Sequence, residues 1–129
     1  MSSNSRHFTL DEARSVLGTL LPDLSRMVEL KKILNAKNYD VYRHAYFGGG
    51  GPNGTKHYPP ELEELVEIAQ HFAEAGVAVK SLDQGLIDFP HIRKNGEEVY
   101  LCYKLGEDDI LFWHPIKTGF AGRKSTTQL

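Results

Sequence analysis

Cysteine is nearly absent: Cys102 stands alone in 129 residues. One cysteine excludes an intrachain disulfide and suits a reducing compartment. Long apolar runs are missing as well. No stretch approaches the roughly 20 consecutive apolar residues a membrane-spanning helix needs, and the opening MSSNSRHFTLDEA has no apolar core of a secretory signal. Nor is one sign of charge in excess. Fifteen Lys and Arg against 17 Asp and Glu leave a formal net charge of −2, with a pI near 6.3. Neither nucleic acid nor an anionic membrane is attracted by such a balance. These absences lead to the expectation of a soluble cytoplasmic protein that uses neither as a partner.

What is present is globular in kind, 40% hydrophobic and 25% charged. A chain of this length buries roughly two-thirds of its unfolded surface, enough for a core without staples. One domain over residues 1–129 is expected.

Thr9-Leu10-Asp11-Glu12 is a capping box, in which Thr9 accepts from the backbone of Glu12 and Glu12 reaches back. Beyond it, apolar residues at 10, 13, 17, 20, 24, 27, 34, 41 and 45 predict a long first helix over residues 8–47. Pro22 predicts a kink there, or a short helix followed by a new one. Residues 48–60, GGGGPNGTKHYPP, read as a loop. A second amphipathic helix is predicted over 61–75, ended by Gly76. Basic residues on the first helix (Arg26, Lys31, Lys32, Lys37, Arg43) and acidic ones on the second (Glu61, Glu63, Glu64, Glu67, Glu74) suit an antiparallel helical hairpin. Two solvated faces of unlike sign explain them equally well.

A four-stranded antiparallel β-meander follows over 77–115, with strands near 77–82, 86–93, 98–105 and 110–115 and a tail over 116–129. Asn95-Gly96 predicts a two-residue type I′ hairpin turn, Asp83-Gln84-Gly85 a three-residue loop, and Gly106–Asp109 a four-residue one. That register sets Ile92 against Val99, Asp88 against Tyr103, Tyr103 against Phe112 and Leu101 against His114. Both faces then come out apolar, the second with Phe89, Cys102 and Trp113 in a row. An antiparallel sheet with one wet face alternates cleanly, so a second cover is needed. The favoured cover is a second copy in a homodimer. The tail from Lys117 to Arg123, anchored by Phe120, is the other, and the two are compatible. The expected class is therefore α+β, a helical hairpin packed on the meander. A bulge near Pro90 would rearrange part of the faces.

Few residues carry chemistry. GGGGPNGTK approaches a phosphate loop, but Thr55-Lys56 stands in the wrong order and the segment follows a helix instead of a strand; it reads as a connector. Asp88 within an apolar run could be a tuned acid or base, although Lys80 on the neighbouring strand offers a duller cross-strand pair. His114 lies on the order of 10 Å from Asp88 by strand spacings, too far for shared coordination. No histidine pair has zinc-site spacing, so no metal ligand is assigned. Cys102 reads as an inert buried thiol. Gly119-Phe120-Ala121-Gly122-Arg123 could cradle an anion between glycine amides and the guanidinium, with a pairing of Arg123 to Glu107 or Asp108 as the favoured structural alternative.

FTLDEA with a following LLP, a glycine-rich break between helices, then GLIDFP, VYLC, LGE, WH and GFAGR occur in that order from Phe8 to Arg123. This string resembles the bacterial family known as domain of unknown function 2203. The sequence departs from the family pattern at Tyr103, where tryptophan is usual, and in a longer, more aromatic region over 35–60. The resemblance implies no activity or cofactor. It does concentrate attention on Asp88, Phe89, Pro90, Cys102, Glu107, Trp113, His114, Gly119, Phe120, Gly122 and Arg123, nearly all on sheet and tail. The functional expectation is a non-enzymatic binding or assembly protein, homodimeric through sheet and tail, with Asp88, Glu107, Trp113, His114, Gly119, Phe120, Gly122 and Arg123 as the ligand-binding or interface set. A small anionic ligand fits this set. The alternative is a small enzyme, or a metal- or anion-binding protein, with its site at the sheet–tail junction. The ligand, pathway and cofactor are not legible in these residues.

Overall fold

The computed structural model describes residues 6–43, 45–47 and 59–129. The first helix, α1, spans Leu10–Ala36 and starts from the complete Thr9/Glu12 capping box. Its buried stripe includes Ala13, Leu17, Leu20, Leu24, Met27, Leu30 and Leu34. The helix runs unbroken through Pro22, so no second helix begins there. Gly18 and Pro22 are both exposed, so the Gly18 carbonyl that the proline deprives of a partner can turn to water. Burial of Leu17, Leu20 and Leu24 on the opposite face offsets the roughly 3 kcal/mol that an interior proline costs.

The helix stops at Ala36, well short of residue 47. Asn38 takes a left-handed conformation, φ 57°, which asparagine tolerates better than most residues. Tyr39 N–H then bonds Leu34 C=O and Asn38 N–H bonds Asn35 C=O, a Schellman closure. The apolar periodicity carries past this point because Val41, in a 3-10 turn over Val41–Arg43, also enters the core. The second helix, α2, spans Pro60–Ala75, with proline in its first turn and Gly76 at φ 80° closing it. Asp23–His71, Arg26–Glu64 and Lys37–Glu61 pair the helices in opposite sequence directions, which makes them antiparallel. The near-phosphate-loop GGGGPNGTK lies outside the described residues. No helix among the described residues is long and apolar enough to cross a membrane.

The sheet is antiparallel with five strands in the order of the chain: β1 Ala78–Ser81, β2 Leu86–Ile92, β3 Glu98–Lys104, β4 Phe112–Pro115 and β5 Lys124–Ser125. The fold class is α+β. The fifth strand, beyond the four expected, comes from the tail and pairs Phe112 with Ser125 and Trp113 with Lys124.

Register is where sequence and structure part. Asn95-Gly96 does not form a two-residue turn. Gly96 N–H bonds Arg93 C=O, Arg93 N–H bonds Glu97 C=O, and Gly96 sits at φ 87°. This is a three-residue loop with glycine in the left-handed position. Every pair slips by one: Asp88 faces Cys102, Phe89 faces Leu101 and His91 faces Val99. The next hairpin slips likewise, placing Tyr100 opposite His114, Leu101 opposite Trp113 and Cys102 opposite Phe112. A one-residue slip exchanges faces, and with it the two apolar faces resolve into one. Ile87, Phe89, Val99, Leu101, Tyr103 and Trp113 join the helices in a single core. Leu86, Asp88, Pro90, Tyr100, Cys102, Phe112 and His114 share the other face. The row of Phe89, Cys102 and Trp113 does not exist.

Candidate binding site at the sheet–tail junction

Three strands and the tail build the site. Asp88 on β2 and Cys102 on β3 are direct partners, and His114 on β4 lies one row diagonally beyond them. His114 Nε2 stands 3.1 Å from Asp88 Oδ2, with both side chains almost fully buried. The separation of about 10 Å expected from strand spacing is therefore wrong: it measured backbone to backbone and omitted the reach of the two side chains toward each other. His114 Nδ1 meets the Pro115 carbonyl at 2.8 Å. A carbonyl only accepts, so Nδ1 carries the proton and donates. Asp88 Oδ1 is buried with no hydrogen-bond partner among the described residues.

Burial pushes the Asp88 carboxyl above its ordinary range, partly offset by His114 and Lys80. Burial, with the nearby Asp88 carboxylate, pushes the Cys102 thiol up to about 12. Lys80 does not sit opposite Asp88 as expected; Ala78 does, one residue of the shift coming from a bulge between Val79 and Ser81 and the other from a four-residue loop over 82–85 that sets Ser81 opposite Leu86. The bulge re-aims the lysine, setting its ammonium 5.3 Å from the Tyr100 ring centroid.

The tail closes over this face. The 3-10 turn Gly119–Gly122 places Gly119 and Phe120 against Lys80, Leu86, Asp88, Tyr100, His114 and Ile116, enclosing a cavity of about 300 Å³. Arg123, not Phe120, is the anchor. Its guanidinium stacks on Phe112 at 4.2 Å and Phe120 at 4.4 Å and bonds Glu107 Oε1 at 2.7 Å. Glu107 also accepts from Lys104 N–H, so one carboxylate joins the β3–β4 turn to the tail. Burial opposes the charge on Arg123, yet the Glu107 hydrogen bond leaves its pKa raised. Gly122 packs against Thr118 so closely that a Cβ there would stand 2.1 Å from Thr118 Oγ1. A larger cavity of about 390 Å³ between α2, β1 and the 3-10 turns has no carboxylate, histidine or cysteine in its walls among the described residues.

Residues 6–126 match the family described as Uncharacterized conserved protein (DUF2203). The chain belongs to this family. Neither the curated proteins nor the solved structures searched contain a match.

In this DUF2203 chain the candidate residues from the sequence separate into three groups. Asp88, His114, Gly119 and Phe120 meet at the cavity. Glu107, Gly122 and Arg123 secure the tail that roofs it. Trp113 is elsewhere: it faces the core, donates Nε1–H to Ser125 C=O and lies under Arg93. Sequence reasoning set Cys102 aside as inert and used Lys80 only as a counterion for Asp88. Tyr100 was unremarked beyond its face. The signal that finds Tyr100 and Cys102 is the alternation Val99, Leu101, Tyr103 in β3: with these three in the core, the residues between them turn to the tail.

Proposed function

We propose that this chain is a small non-enzymatic binding protein, working in the cytoplasm, whose ligand occupies the cavity between sheet and tail. The ligand is a small molecule with an anionic group and an apolar body. One observation carries the reading: the cavity is lined by the polar side chains of Lys80, Asp88 and His114 together with the apolar ones of Leu86, Ile116 and Phe120. Among the described residues Lys80 has no carboxylate ion pair, which suits it to an incoming anion. Titration of isotope-labelled protein with benzoate and with phenyl phosphate, followed by amide NMR, tests this. Saturable shifts are expected at Lys80, Tyr100 and Gly119, weakened in Lys80→Ala. Shifts scattered over the surface, or unchanged in that variant, would overturn the reading.

Self-association stands second. The apolar face that called for another copy is roofed by the tail, but Ile92, Ile116 and Phe120 remain exposed. Sedimentation of wild type and Phe120→Ser over a range of concentrations tests it, a dimer lost in the variant being the supporting result.

A further inference from the structure

Asp88, Cys102 and His114 each offer one ligand atom, an oxygen, a sulfur and a nitrogen, all within 4.8 Å of one another and all on buried side chains. We propose that these three residues bind one divalent metal ion of the zinc class, leaving a fourth coordination position open to the cavity. This deepens the binding reading by giving a role to Asp88 and His114 of the cavity wall, and rests on it for the occupant of the fourth position.

The ligand types suit the ion: thiolate, imidazole and carboxylate together favour a borderline-soft, tetrahedral cation. The spacing suits it too. Bonds of about 2.0–2.3 Å imply ligand–ligand edges of roughly 3.3–3.8 Å in a tetrahedron. The His114–Asp88 contact at 3.1 Å is already near that edge, and the remaining atoms close by rotamer-scale motion. The imidazole is held in the required tautomer. Nδ1–H donates to Pro115 C=O, so when a metal displaces the proton between Nε2 and Asp88 Oδ2 the Nε2 lone pair points into the cluster, the usual way in which an outer hydrogen bond orients a metal-binding histidine.

A separate observation points to a missing cation. Asp88 Oδ1 is buried with no hydrogen-bond partner among the described residues, although an orphaned carboxylate oxygen is among the most expensive groups to bury. A metal held by both oxygens of the Asp88 carboxylate, which then fills one vertex, supplies its partner. Charge also balances: two anionic ligands neutralise a dication, while Arg123 is neutralised separately by Glu107. Three protein ligands and an open position facing a cavity follow the pattern of sites that bind an exogenous group. Lys80, on the cavity wall, would favour an anion there.

The test uses the full chain, stripped with chelator and titrated with Zn(II) against a chromophoric competitor, and with Co(II) followed by absorption. Expected are one ion per chain, intense tetrahedral cobalt bands and a thiolate-to-cobalt charge-transfer band. Cys102→Ser should abolish that last band. Asp88→Asn and His114→Gln should each weaken Zn(II) binding about 10- to 100-fold or more, while His71→Gln, on α2 beside Asp23 of α1, leaves it unchanged. Circular dichroism checks that each variant folds. Should one fail to fold, the charge-transfer band of the wild type decides by itself. Zinc bound by wild type no more tightly than by Cys102→Ser, or cobalt without the sulfur band, overturns the proposal. Repeating the benzoate and phenyl phosphate titrations on chelator-treated and zinc-loaded protein separates the two ideas. Anion shifts without metal binding leave the cavity reading and remove the metal; metal binding without anion shifts does the reverse.

Discussion

Lys31 is the clearest case of one residue's environment deciding its contribution. It is 5% exposed, and its ammonium donates to Asn35 and to Asp83 at 3.0 Å, tying α1 to the β1–β2 loop. The lysine hydrogen bond, then that from Asn35, holds the Asp83 carboxyl below its ordinary range. A carboxyl depressed in the folded state stabilises fully above its unfolded pKa of about 3.9, and that stability is lost as pH falls through the lower folded value. Asp83 is half exposed, so solvent screens the pair and the effect is modest. Asp83→Asn is expected to cost about 1 kcal/mol in urea unfolding at neutral pH. The difference between variant and wild type should shrink as the pH falls below the unfolded value and the Asp83 carboxyl takes up its proton. An equal loss at neutral and acid pH would show that packing, not charge, is at work.

At the scale of elements, hairpin geometry governs everything placed on the sheet. Gly96 closes the β2–β3 loop at φ 87°, where a side chain meets its own backbone. Nothing surrounds the position within 4 Å of an added Cβ, so Gly96→Ala isolates the conformational effect. It should lower stability by about 1–2 kcal/mol in urea unfolding while leaving the Asp88–Cys102 pairing intact by amide NMR. A neutral result would mean the loop does not hold its left-handed glycine in solution. The tail depends on a different kind of glycine. At Gly122 the obstacle is not φ but Thr118, whose Cβ and Oγ1 would both collide with a new methyl group. Either the 119–122 turn or the strand before it must shift.

The consequence of that shift belongs to the whole molecule. Cys102 is fully buried at the bottom of a stack whose upper layers are Phe112, Arg123 and Phe120. Reagent reaches it only when the tail lifts, so alkylation of the metal-free protein reports tail opening. Wild type should react slowly with iodoacetamide until unfolded. Gly122→Ala should react much faster, with overpacking lowering global stability by about 1–3 kcal/mol. Rapid alkylation of wild type in native buffer would contradict the roof that Arg123 and Glu107 secure. The β5 pairing, Trp113 Nε1–H on Ser125 C=O, and Arg93 Nε–H on Leu129 C=O hold the far end of the same segment.

Much of this was legible in the residues. The Thr9/Glu12 capping box, the α2 stripe, Gly76 as a stop and the turn near Asn95-Gly96 depend on chemistry within a few positions of the chain. Local chemistry survives unchanged into the fold, and sequence alone determined those elements. The end of α1 lay at the limit of such reasoning, because Asn38 is a good left-handed residue while the apolar pattern continues past it to Val41. The pairing of Arg123 with Glu107 was legible too, as the structural alternative to an anion site. Register was not legible. Two- and three-residue loops both accept Asn-Gly, and the choice falls to burial of Phe89, Leu101 and Trp113 against helices far away in the chain. That choice brought Cys102 onto the face that Asp88 and His114 already shared in the expected register. Their meeting is a product of the tertiary structure, since three side chains from three strands have no common neighbour in sequence.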